Sequence, residues 1–133
     1  MREILFRGKR FKDGEWVEGW VTSQFKKFSD GEILTRIQSN IFGGGLHLVD
    51  TETVGQYTGL EDKNGKRIFE GDIVLDEQSG YNYLIKWFPE YACFSLANKN
   101  GHMEFGCDEI EIFLNDLVVI GNVTDNPELL KGE

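Results

Sequence analysis

The sequence predicts a mostly β protein, a small barrel or sandwich rather than an α/β fold. Two observations carry that expectation. Short β-branched and aromatic runs recur along the chain, broken by turn signals about every eight to twelve residues, the spacing of all-β domains. Sixteen Gly against only two Pro in 133 residues point to tight turns rather than flexible linkers. Hydrophobic residues make up 40% of the chain, with three Trp, four Tyr and ten Phe, enough to build a core.

Taken in order, residues 2–10 read as a first strand, with Ile4 and Phe6 on one face and Leu5 opposite. Lys12-Asp13-Gly14-Glu15 is a hairpin turn signal. Trp16–Val21 alternates as a second strand, with Trp16, Glu18 and Trp20 on one face; Gly19 marks close packing on the other. Phe25-Lys26-Lys27-Phe28 fits a strand end or a loop, and Ser29-Asp30-Gly31-Glu32 is a turn. Ile33–Ile37 is a third strand, Asn40–Gly45 a flexible connection, and His47–Val49 and Thr51–Tyr57 further extended segments.

Val54–Leu75 holds the sharpest turn chemistry. Asn64-Gly65 suits a two-residue hairpin loop, which needs positive φ at both positions. Asp62-Lys63 and Lys66-Arg67 flank it as solvated turn residues. Gly71 marks a kink, bulge or positive φ, and Asp72 can fold its carboxylate onto nearby backbone N–H groups. Beyond it, Ser79-Gly80 turns the chain, Tyr81–Phe88 has high β propensity, and Pro89 ends that strand. Cys93–Ala97 is a short strand, Asn98–His102 a hairpin loop, and Met103–Phe105 pairs back. Glu109–Leu114 fits a strand or a helical turn, and Leu117–Val123 a buried strand. In the tail, Asn126 suits an N-cap, Pro127 the first helical position, and Leu129 and Leu130 would pin the turn. No internal repeat or low-complexity segment is expected.

The net charge of −9 disfavours direct nucleic-acid binding, since phosphate contacts need Lys and Arg. A basic face from Arg2, Arg7, Lys9, Arg10 and Lys12 is the exception, and it reads more simply as a charged strand edge. No secretory hydrophobic region opens the chain, and no apolar run approaches the roughly 20 residues of a membrane helix, so no membrane role is expected. The two cysteines do not make a disulfide framework, and a reducing cytoplasm is the simplest compartment.

Candidate chemistry is sparse. Cys93, His102, Cys107 and His47 lack the paired spacing of structural zinc sites, and Cys93 reads as a buried thiol. Placing Gly65 at the invariant glycine of a calcium loop puts Leu60 and Gly71 at ligand positions, which excludes that motif. Gly43-Gly44-Gly45 is followed by Leu46-His47-Leu48 instead of the Lys-Ser/Thr of a phosphate loop. No G-x-S-x-G occurs, and Cys93 has no electropositive neighbours in sequence. Glu70 and Asp72 would share a face if that segment were extended, the one carboxylate pair singled out for hydrolysis. The expectation is therefore no catalytic residues, no cofactor and no metal. Trp16, Trp20, Tyr81, Tyr83 and Trp87 are read mostly as core; any that face outward could anchor a protein partner.

Three segments resemble the YopX family of phage and prophage proteins. The strongest is Gln56–Val74, followed by Val119–Val123 with Asn126–Leu130, and the opening 2–7. Gly8-Lys9 stands where relatives often carry Ala-Trp, a place where packing should differ. The resemblance implies a β-rich fold, a phage or prophage source, and no established activity or catalytic residues. The resulting expectation is a twisted antiparallel sheet over residues 1–57, packed on a small Src-homology-three-like barrel over 58–124, then a helical turn and tail over 125–133. The functional expectation is a cytoplasmic, non-catalytic module that binds a host or phage protein, with self-association through open strand edges as a further possibility. The rivals are an acidic nucleic-acid mimic that inhibits a host nuclease or regulator, and a hydrolase using paired carboxylates.

Overall fold

The structure is a computed structural model that describes residues 3–26, 33–41, 43–104, 106–107 and 109–130. The turn expected at Ser29–Glu32, and Arg2, Phe42 and Phe105, lie outside the described residues. The chain divides into two compact units, Met1–Tyr57 and Thr58–Glu133. Strands dominate both, and the sheets are antiparallel.

The first unit contains β1 (Phe6–Lys9), β2 (Trp16–Lys26), β3 (Ile33–Ser39), β4 (Leu46–Asp50) and the first residues of β5 (Gly55–Glu61), in the order β4-β3-β2-β1-β5. β1 is an inner strand: Phe6 pairs with Gly19 on one side and Gln56 on the other. This corrects the charged-edge reading of the N-terminus. The second neighbour arrives some fifty residues later in the chain, so local composition does not reveal it. β1 then curls round. Arg10 bridges Val49, and the Phe11 N–H donates to the Leu48 carbonyl at 3.0 Å. Inside this curl Leu5, Ile37 and Val49 are fully buried. Gly8 lines the same interior: a Cβ there would stand 2.7 Å from Val49 Cγ2 and 3.0 Å from Ile37 Cδ1. A methyl group at this position would force these side chains to shift.

Thr51–Tyr57 is not extended throughout. Thr51–Thr53 forms a 3-10 turn, because Asp50 accepts the Glu52 N–H at 3.1 Å and the Thr53 hydroxyl caps the Asp50 carbonyl at 2.6 Å. Only then does β5 begin.

The second unit holds the rest of β5, the short β6 (Arg67–Phe69), and a four-stranded sheet. The sheet comprises β7 (Asp72–Asp76), β8 (Asn82–Phe88), β9 (Cys93–Ala97) and β10 (Leu117–Asn122), in the order β10-β7-β8-β9. The expected closed barrel is not formed among the described residues; this sheet stays open. Short segments cover its edges instead. Met103 bridges Ala97 beside β9, and the Lys63 N–H donates to the Leu117 carbonyl of β10 at 3.2 Å. Glu109–Leu114 resolves as a single helical turn, α1 (Glu109–Ile112), followed by a 3-10 turn at Leu114–Asp116. α1 brings Ile110 into a core with Ile68, Val74, Ile85, Leu96 and Leu117. Each such aliphatic side chain contributes roughly 1.5–3 kcal/mol relative to exposure.

Gly71 does sit at positive φ, +92°. Its N–H donates to the Ile85 carbonyl and its own carbonyl accepts the Val123 N–H, both at 2.8 Å. This left-handed residue turns β6 into β7 while keeping both backbone groups paired. Asp72 acts as its sequence suggested: its Oδ2 accepts the Phe69 N–H at 2.8 Å, and the residue is buried. The Asn64-Gly65 turn differs from expectation. Gly65 has φ +82°, but Asn64 is not at positive φ. The Gly65 N–H reaches the Asp62 carbonyl at 3.0 Å, and the Asp62 N–H reaches the Lys66 carbonyl at 2.8 Å. The loop is therefore the three-residue kind, Lys63-Asn64-Gly65, with glycine at the bulge. At the tail, Pro127–Leu130 is the expected helical turn. Asn126 Oδ1, however, reaches back to the Asn122 N–H at 3.2 Å rather than forward as an N-cap.

Candidate functional site

Several of the residues singled out for chemistry are held in structural roles. Asp72 is turned to the Phe69 N–H and Glu70 lies in a turn, so the two do not share an extended strand face. His47 Nε2 lies 2.6 Å from the Gly44 carbonyl, which it caps as a donor. Cys93 and Cys107 are joined as a disulfide with their Cα atoms 6.0 Å apart. This corrects the expectation of a buried free thiol at Cys93. Among the described residues no group of three His, Cys, Asp or Glu side chains is placed to hold a metal. Two of the basic N-terminal residues are engaged with neighbours. Arg7 stacks over the Trp16 ring at 4.9 Å, and Arg10 pairs with Asp13 at 3.2 Å.

Asp62 is the largest departure. Expected as a solvated turn residue, it is buried. Its Oδ1 accepts the N–H groups of Asn64 and Lys66, each at 2.9 Å, and its Oδ2 accepts the Val119 N–H at 2.9 Å. Burial pushes the carboxyl pKa up, but the three backbone donors and the Lys66 charge outweigh it, and the result lies below the ordinary 3.8. The site is structural: it ties the hairpin tip to β10.

The aromatics divide unevenly. Tyr83 is core, as read, whereas Trp20, Tyr81 and Trp87 are outward at 48%, 60% and 40% exposure. Trp20 is partly held, since its indole N–H donates to the Ile4 carbonyl at 3.1 Å. Trp87 borders a surface groove of the second unit. β8 stops at Pro89, which cannot donate to a ladder. Phe88 and Cys93 pair across the hairpin, leaving the loop 89–92. Ala92 closes that loop at φ +51°, the one non-glycine positive φ among the described residues. The loop holds Tyr91 out in solvent, 63% exposed. Trp87 meets Phe94 edge-on across the strands, with centroids 4.9 Å apart. A groove of about 590 Å³ runs from this loop to Gly101, His102 and Met103 of the next hairpin. Lys86 crosses it, donating to the Gly101 carbonyl at 3.1 Å with its ammonium 5.3 Å from the Phe88 ring centroid. A second cleft of about 340 Å³ lies among Tyr81, Asn82, Tyr83, Asn98, Leu129 and Leu130. What the groove offers is aromatic and thioether surface with a polar border, the composition of a contact site. Tyr91 and Met103 were missed from sequence; the available signal was an aromatic two residues past a strand-ending proline.

Fold and site together describe a small, mostly β protein of two antiparallel sheets. The chain belongs to the YopX family: the family profile described as "YopX protein" matches residues 5–131, nearly its whole length. Among solved structures it is similar to protein EF1440 from Enterococcus faecalis, with 25% identity and a TM-score of 0.57, over 98% of this chain and 100% of that one. Among curated proteins, none matches. No helix among the described residues is long and apolar enough to cross a membrane.

Proposed function

We propose that this YopX-family protein is a non-catalytic protein-binding module that works in phage–host biology inside the bacterial cell. The observation that supports this reading is the groove bounded by Trp87 and Tyr91, where large aromatic rings are left in solvent instead of joining the core. Buried aromatic anchors supply a large share of the energy at protein interfaces, and Trp and Tyr are enriched there. Because Tyr91 lies on a loop and is already exposed, replacing it leaves the core intact. The test compares capture from bacterial lysate by the parent, by Tyr91→Ala and by Trp87→Ala, with partners quantified by mass spectrometry. The reading expects one protein retained stoichiometrically by the parent and depleted about tenfold or more by either substitution. Equal recovery by all three forms rejects the groove, and turnover of a substrate by the parent rejects the non-catalytic reading.

A further inference from the structure

We propose that Cys93 and Cys107 form a reversible thiol–disulfide switch that sets how firmly the helical turn Glu109–Ile112 is held on the second unit. They are the chain's only two cysteines, and the fold brings both into that unit, fourteen residues apart in sequence. Their Cα separation of 6.0 Å lies within the range a disulfide spans without backbone movement. The anchor points differ in rigidity. Cys93 opens β9, in register opposite Phe88. Cys107 is exposed, two residues before α1. α1 is only four residues long, too short to persist on its own helix propensity, yet it carries Ile110 into the core. Among the described residues, the noncovalent ties of this segment to β9 include the Ser95 hydroxyl donating to the Gly106 carbonyl at 2.7 Å, the Glu104 N–H donating to the Leu96 carbonyl at 3.4 Å, and the bridge of Met103 to Ala97. The disulfide is the covalent tie that precedes α1, and opening it leaves that turn held by these hydrogen bonds and its core contacts.

The chemistry closes with glutathione as the exchange partner. The Cys107 thiolate is the more accessible, so it attacks glutathione disulfide first and expels one glutathione thiolate. The Cys93 thiolate then attacks the mixed disulfide at Cys107 and expels the second. Two protein thiols lose two protons and two electrons, and one glutathione disulfide becomes two glutathione thiols. A reducing dithiol runs the sequence backwards.

The test equilibrates the full chain with glutathione disulfide or with a reducing phosphine and measures intact mass, free thiols and amide hydrogen exchange. Oxidation should remove about 2 Da and both maleimide-reactive thiols, as expected for an intramolecular disulfide. Reduction should speed exchange of the amides between Gly106 and Ile112 by about tenfold to a hundredfold, with the first unit unchanged as the internal reference. The Cys93→Ser/Cys107→Ser double variant should behave like the reduced parent under both conditions. The proposal is overturned by exchange in 106–112 that is equal in the two redox states. It is equally overturned by a stable adduct of one glutathione per chain in place of the internal bond.

Discussion

Two hairpins of the second unit carry the same Lys-Asn-Gly tip, Lys63-Asn64-Gly65 and Lys99-Asn100-Gly101, and differ in the residue before it. Their backbones match. Gly65 and Gly101 both have φ +82°. The preceding residue, Asp62 or Asn98, accepts the N–H groups two and four residues on through its side-chain oxygen, at 2.9 and 2.9 Å in one case and 2.9 and 3.1 Å in the other. One side-chain atom remains in each. Asp62 points an oxygen at a buried N–H donor, Val119; Asn98 points its amide nitrogen at a carboxylate acceptor, Glu104, at 2.8 Å. The outer partner dictates which residue fits. Only an acid can accept three N–H bonds here, and only an amide can both accept and donate. The turn is thus generic, and its first residue decides whether the loop is a surface feature or a rivet in the core.

The largest effect should come from Asp62→Ala, which strands the buried Val119 N–H and releases the turn, a loss of about 3 kcal/mol against about 1 kcal/mol for Asn98→Ala. Chemical denaturation of the two variants checks the contrast, and equal losses would break it. The same asymmetry should appear in pH dependence. The Asp62 carboxyl is held below its ordinary value, so its contribution is present above the unfolded-state pKa and is lost as pH falls through the folded one. Thermal midpoints of the parent should therefore fall more steeply below about pH 4 than those of Asp62→Asn. Exchanging the two chemistries sharpens the point. Asp62→Asn sets an amide N–H or a lone contact against Val119 and should cost about 1–3 kcal/mol, while Asn98→Asp, exposed beside Glu104, should cost less than about 1 kcal/mol. The smallest difference should be at the glycines. Gly65→Ala and Gly101→Ala each force a Cβ into left-handed backbone, so each should cost about 1–2 kcal/mol, with little to separate them in a melt.

Local chemistry made much of the fold legible. Cys93–Ala97 is β9 to the residue, and Tyr81–Phe88 and Leu117–Val123 became β8 and β10 within a residue at their ends. β-branched and aromatic runs bounded by Gly, Asn and Pro carry their own boundaries. What sequence did not show depends on partners far along the chain. Asp62 looks like any turn acid until Val119, 57 positions away, brings it a donor. β1 looks like an edge until β5 arrives, and Cys93 looks like a lone thiol until the loop before α1 folds back. The groove was half legible. Trp87 stood out by type, but its exposure follows from the loop that Pro89 begins and Ala92 closes, and Tyr91 is presented only because that loop forms.

The pairing of Phe6 with Gln56 also bears on how the chain is made. A ribosome delivers the N-terminus first, yet β1 cannot gain its second neighbour until about fifty more residues have left the exit tunnel. Until then Phe6 and Arg7 present an unmatched row of amides and carbonyls to the cell. Chaperone contact with the nascent chain should therefore concentrate in this interval and fade once Gln56 emerges.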